Sequence, residues 1–163
     1  MKNKAQIAYK EFSKALQSFF EEYIIKERGY SRNTIKSYSE TFSLLLIFLK
    51  ETKGIACDHV GFEVLDRTCI SEFLSWLEKS RGSQPQTRNQ RNAAIKSFFK
   101  YMIYYDPIHI SRWQEICSIR FKKVATNTIK YLSVEGVCLL LNQIPRDTRR
   151  GKRDLALLSL LYY

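Results

Sequence analysis

Along this chain apolar residues recur at helical spacing. Between Thr87 and Ile103, the residues Ile95, Phe98, Phe99, Met102 and Ile103 take the i, i+3, i+4, i+7, i+8 positions of a helix with one buried side. The first turns of this stretch differ in kind: Arg88, Asn89, Arg91 and Asn92 crowd its amino-terminal end, and Lys96 and Lys100 follow on the flank. At about 100° per residue, Arg88 and Arg91 continue the line of the apolar stripe. That end must either snorkel or run past the core. The second arrangement is the expected one, with one end packed and the other reaching outward.

The same periodicity predicts the remaining elements. A first helix runs from about Lys4 to Lys26 on Phe12, Leu16, Phe19, Phe20, Tyr23 and Ile24, and Gly29 stops it. Ser31 caps a second, whose stripe of Ile35, Tyr38, Phe42, Leu45, Leu46 and Leu49 widens until its carboxyl-terminal half is apolar nearly all round. Its first residues Arg32, Asn33 and Lys36 lie away from the stripe. Thr52 to Glu63 reads as a loop. A third helix opens near Asp66 and carries Ile70, Phe73, Leu74 and Leu77 to about Lys79. The fourth is capped at Ser83 or at Thr87, where Thr87 and Gln90 match a capping box, and it ends by Asp106 before Pro107. A short fifth helix spans about Ser111 to Ser118. From Arg120 to Thr128 the chain is polar, basic and aperiodic, which reads as a linker. Beyond it, Ser133 caps a helix to about Asn142, and a last one starts near Thr148 and runs through Leu157, Leu160 and Leu161 to the end. The expected fold is therefore all-α: a bundle over 1–120, a basic linker over 121–130, and two helices over 131–163. Those two have too few residues to close a core and read as a fragment of something larger.

Charge changes the picture next. The formal net charge is +11, and it is unevenly placed: residues 1–80 carry 12 basic and 11 acidic side chains, residues 81–163 carry 15 and 5. Between Arg81 and Lys130 only Asp106 and Glu115 oppose the basic side chains, a density that asks for an anionic partner. Nucleic acid is the first candidate. A basic helical module for RNA or an acidic protein partner is the alternative. Cys57, Cys69, Cys117 and Cys138 form no C-x-x-C pair, and their apolar neighbours suggest small buried residues in a reducing compartment. His59 and His109 have no companion at ligand spacing, so no metal or other cofactor is expected. No run reaches the ~18 apolar residues needed to span a bilayer, and the opening residues lack a signal core. A cytoplasmic protein with no membrane partner and no small-molecule substrate is expected.

Three segments carry a family resemblance. Ser31-x-x-Thr34-x-x-x-Tyr38 opens the second helix, and Thr87-Arg88-Asn89-x-Arg91-x-Ala93-Ala94-x-Lys96-x-Phe98-Phe99 opens the fourth. Tyr131-Leu132-Ser133-x-Glu135 is followed by Arg153-Asp154-x-Ala156 and Leu161-Tyr162-Tyr163. In their order and spacing they resemble the amino-terminal part of the tyrosine recombinases of the phage integrase family. The resemblance covers essentially the whole chain. It implies an orthogonal, SAM-like core-binding domain of four to five helices that clamps double-stranded DNA, a basic linker, and the start of a catalytic domain. It also implies site-specific recombination or integration of a mobile element, with other recombinase protomers on the same DNA.

Physical chemistry supplies candidate roles. Cations gain affinity for phosphates through counterion release, and a helix amino terminus adds its dipole and free amides. The candidate DNA contacts are Ser31, Arg32, Asn33 and Lys36 for phosphates, and Thr87, Arg88, Asn89, Arg91, Asn92 and Lys96 for base edges, since Arg and Asn read guanine and adenine. From the linker, Lys122, Lys123 and Lys130 are candidates for backbone contacts. The resemblance places the first catalytic arginine just past Tyr163 and the tyrosine nucleophile far beyond, so no catalytic residue is expected here. An intact enzyme using Tyr163 is the remaining reading.

Overall fold

The computed structural model describes residues 11–125 and 131–162. The expected start of the first helix at Lys4, the candidate Lys130 and the carboxyl-terminal Tyr163 lie outside the described residues. Among those described there is helix and no strand, so the fold is all-α.

Local chemistry sets most helix boundaries. Helix α1, described from residue 11, is α-helical to residue 18 and π-helical over Phe19–Glu27. Its buried side chains Phe12, Ala15, Phe19 and Ile24 follow that change. The last interval is five residues, wider than the three or four of an α-helical stripe, in keeping with the wider turn and i→i+5 bonding of a π-helix. Gly29, at φ 58°, turns the chain out of the helix. Ser31 then accepts the Thr34 amide at 3.3 Å and opens α2 (Arg32–Lys53), which ends at Gly54 in the left-handed conformation. Asp66 does the same for α3 (Arg67–Lys79), accepting the Cys69 amide at 2.7 Å.

Helix α4 (Pro85–Tyr105) starts differently from expectation. Neither Ser83 nor Thr87 caps it: Gln84 holds the cap position without a side-chain bond, and Pro85 is the first helical residue. Proline has φ already near the helical value and no N–H to leave unpaired, so it opens a helix without a capping side chain. The helix stops at Asp106, and α5 (Ile110–Cys117) follows a short turn over Pro107–His109. The Trp113 indole N–H ties the two together by donating to the Asp106 carbonyl at 3.1 Å.

α4 is the central element and packs against α1, α2, α3 and α5. The rings of Phe19, Phe42 and Phe99 surround Phe98, each with its centroid 5.2 Å away. All three meet it edge to face, the geometry that aromatic quadrupoles favour. Leu45, Leu49, Leu65, Ile70 and Leu74 complete a core in which each fully buried side chain contributes about 1.5–3 kcal/mol.

The chain divides into two compact units, 1–124 and 125–163. The second holds α6 (Val134–Asn142) and α7 (Arg149–Tyr162), which pack on each other. Ser133 caps α6 by accepting the Gly136 amide at 3.1 Å. Among the described residues of this unit only Gly151 is buried; a Cβ there would strike the Pro145 carbonyl. The expectation of four buried cysteines needs correction. Cys69 is buried and Cys117 half-buried, but Cys57 sits exposed in a short turn after α2, and Cys138 is exposed on α6, where there is no core to receive it. No helix among the described residues is long and apolar enough to cross a membrane, and those residues hold no cluster of metal-ligating side chains.

Candidate nucleic-acid interface

One guanidinium joins the second turns of α2 and α4. The Arg91 Nη1 donates to the Ser37 carbonyl at 2.7 Å and to Thr41 Oγ1 at 3.3 Å, while its Nη2 meets the Glu40 carboxylate at 3.1 Å. Next to it, Gln90 donates to the Ser37 hydroxyl at 3.0 Å. A planar fork with donors on both branches can engage a carbonyl, a hydroxyl and a carboxylate together, which a lysine ammonium on its flexible stem does less well. The beginnings of the two helices consequently lie side by side. Around this clasp Ser31, Arg32, Asn33 and Lys36 are exposed.

The start of α4 does not reach outward. The segment leaving the bundle, residues 119–122, lies across it and is held by three side chains in succession. Asn92 donates to the Ile119 carbonyl at 3.4 Å, and Arg88 donates to the Arg120 carbonyl at 3.4 Å. Asn89 takes both polar groups of Lys122, donating to its carbonyl at 2.8 Å and accepting its amide at 2.9 Å. A carboxamide carries a donor and an acceptor side by side and so pairs with one residue's backbone as a strand would. Lys96 places its ammonium 4.5 Å from the centre of the Phe121 ring, a cation–π contact. Burial holds the Lys96 ammonium below the usual lysine range. The Lys122 ammonium bonds both carboxylate oxygens of Glu78 at 2.8 Å.

The expectation that Arg88 and Arg91 run past the core is thus corrected. Arg88 is 8% exposed and Asn92 0%, because residues 119–122 extend the covered region over the first turns of α4. Arg91 is half-buried because α2 carries its partners. The fit has a cost, since Arg88 Nε and Asn92 Oδ1 are buried without a partner, and each such atom typically costs about 1–3 kcal/mol.

The structure therefore brings the candidates together but divides them. Ser31, Arg32, Asn33, Lys36 and Lys123 are exposed; Thr87 is half-buried; Arg88, Asn89, Arg91, Asn92 and Lys96 are engaged inside the first unit; and Lys122 is exposed yet ion-paired. Sequence reasoning missed the partners Ser37, Glu40, Glu78 and Phe121. For the last a signal existed: Ile119 and Phe121 alternate at the start of a stretch that otherwise reads as a polar, basic linker. For Ser37, Glu40 and Glu78, ordinary polar residues on amphipathic helices, there was none.

The family model described as phage integrase, N-terminal SAM-like domain, matches residues 16–104, a span that includes the whole Ser37–Arg91 clasp. The chain belongs to that family. It is 34% identical over 143 residues to y4rC of Sinorhizobium fredii, by name an integrase/recombinase, covering 88% of this chain and 43% of the relative. It is 31% identical to y4rD of the same organism, also named an integrase/recombinase, covering 90% of this chain and 52% of the relative. It is 28% identical to the tyrosine recombinase XerD of Listeria monocytogenes, covering 88% and 46%. The chain spans about half the length of the curated relatives it matches. No solved structure matches it significantly.

Proposed function

We propose that this chain is the DNA-binding portion of a tyrosine recombinase and acts in site-specific recombination or integration by gripping one face of a duplex. The observation that carries the reading is the clasp: a buried-side guanidinium holds two helix starts of the family domain in register, and Arg32 and Lys36 stand exposed beside it. The relatives named integrases and recombinases supply the biological setting. The work is divided between two sets of residues. Ser31, Arg32, Asn33, Lys36, Thr87 and Lys123 meet the DNA, with Lys130 as a further candidate. Arg88, Asn89, Arg91, Asn92 and Lys96 build the surface rather than touch bases, and Lys122 joins the duplex only by leaving Glu78.

In this reading the second unit is the beginning of the catalytic domain, and the strand-cleaving groups belong to the length of the relatives that this chain does not span. The protein works in the cytoplasm on double-stranded DNA alongside other recombinase protomers, needs no cofactor, and binds no small-molecule substrate. Incubated with a suicide DNA substrate, it forms no covalent adduct.

Fluorescence anisotropy with a labelled duplex, across a salt series, tests the proposal. Each lost phosphate contact flattens the log–log salt dependence by about 0.9. Replacing Arg32 and Lys36 together by alanine is expected to flatten it by about twice that and to lower duplex affinity roughly tenfold. A salt-independent affinity, or tighter binding to RNA or an acidic polypeptide than to duplex, would overturn it in favour of an interaction module.

A further inference from the structure

A second basic site lies beside the helix starts, between the end of α1 and the middle of α4. It is a cleft of 520 Å³ whose lining includes Arg28, Lys96 and Lys100 with Tyr23, Tyr30 and Tyr38, and no carboxylate. Its cations are pre-positioned. The Arg28 guanidinium lies 5.9 Å from the Tyr23 ring centre and 5.6 Å from that of Tyr30, and donates a long bond of 3.5 Å to the Tyr30 hydroxyl. Cation–π contact with two rings positions the guanidinium and leaves its remaining donors for a planar or tetrahedral oxyanion. Lys96 and Lys100 are one turn apart on the same face of α4, a like-charge pairing that destabilises an isolated helix.

Burial lowers the pKa of Lys96; the Cys117 sulfur pulls against that shift, and Lys100, a smaller contribution, adds to it. Burial likewise pushes the Tyr38 phenol up, against a hydrogen bond from Ser97 at the cleft wall. Three cations converge on an open cavity with no acidic residue in its lining, so an anion entering it removes a repulsion that the folded chain otherwise retains. The volume exceeds what an oxyanion alone requires and falls within the range of small-ligand pockets. Tyrosine rings on the walls suit a sugar or base attached to the anion, as in sites that combine cations with aromatic platforms.

We propose that the cleft between Arg28 and the Lys96–Lys100 turn binds the phosphate group of a nucleotide unit. The site itself is independent of the duplex reading, whereas its occupation by a backbone phosphate of bound DNA rests on that reading. A duplex lying over the helix starts and entering this cleft gains a contact on the flank of α4, displaced along the helix from the clasp by more than one turn.

Two measurements on the full chain separate these levels. In a ¹⁵N–¹H correlation titration with inorganic phosphate, the amides of Ser97, Lys100 and Phe121 are expected to shift and saturate. The Arg28→Gln, Lys100→Gln double variant is expected to weaken that binding at least tenfold, while Arg32→Ala with Lys36→Ala leaves it unchanged. Absence of saturable shifts at the cleft in the wild-type chain overturns the site, whatever the chain does with DNA. In duplex anisotropy the Arg28→Gln, Lys100→Gln variant is expected to lose about tenfold in affinity, with a flatter salt dependence, which assigns the occupant to the DNA backbone. Full duplex affinity in that variant, together with competition at the cleft by adenosine monophosphate, assigns the occupant to a free nucleotide. Phosphate binding in a chain that ignores duplex keeps the cleft and removes the DNA-binding reading.

Discussion

The starts of α2 and α4 are built from the same residue types, and the protein uses them in opposite ways. At α2, Ser31 caps the helix and Arg32, Asn33 and Lys36 face outward. At α4, Arg88, Asn89, Arg91 and Asn92 are drawn inward, on one side to residues 119–122 and on the other to Ser37, Thr41 and Glu40. The difference lies in what passes nearby. Among the described residues Arg32, Asn33 and Lys36 at the start of α2 are left exposed, whereas the start of α4 is flanked by both a neighbouring helix and the departing chain. A basic, amide-rich helix start is therefore no guide by itself to whether its side chains meet a ligand or hold a fold. Backbone carbonyls that arrive from elsewhere compete for the same donors a phosphate would use.

This contrast can be broken by substitution, starting with the largest effect. Arg91→Ala removes a charged group that bonds a carbonyl, a hydroxyl and a carboxylate, so a loss of about 2–3 kcal/mol in urea unfolding is expected. A loss near zero would show that the two helices stay together without it. Asn89→Ala leaves the Lys122 backbone to water and is expected to cost about 1 kcal/mol. Its sharper signature is faster hydrogen exchange at the Lys122 amide, which Asn89 now accepts at 2.9 Å; unchanged protection there would mean the exit segment is held by other means. Glu78→Gln weakens a half-exposed ion pair and should change stability by less than about 1 kcal/mol. The same variant frees Lys122 and removes a negative charge, so duplex affinity is expected to rise modestly; a fall would put Glu78 itself in the interface. Arg32→Ala, at the outward-facing start, should alter stability by no more than about 0.5 kcal/mol, and a larger loss would erase the distinction drawn between the two helix starts.

Much of the scaffold was legible because its causes are local. Ser31, Asp66 and Ser133 each act within three residues of themselves, so the caps can be read from the chain. The start of α4 escaped because Gln84 and Pro85 open it through backbone preference, and a capping box three residues later imitates the more familiar signal. The π-helical run Phe19–Glu27 escaped because Phe19, Phe20, Tyr23 and Ile24 fit an α stripe equally well. Only packing against Phe42, Phe98 and Tyr101 distinguishes the two registers. The cleft was half legible: Lys96 and Lys100 are visible as a basic flank, but nothing near Arg28 announces that the end of α1 comes to face them.

By itself, then, the order of residues determined which stretches are helices, where most of them begin, which faces turn inward, and that the carboxyl-terminal half carries the positive charge. These follow from spacing and from bonds that close within a turn. Only the tertiary structure decided that Arg88, Asn89, Arg91 and Asn92 bond within the first unit while Arg32 and Lys36 stay exposed, and that Arg28 joins the α4 lysines around a cavity. The reason is distance along the chain: the groups that claim those side chains sit 27 to 54 residues away, and a donor's partner is set by which acceptor arrives beside it, not by the donor's own neighbours in sequence.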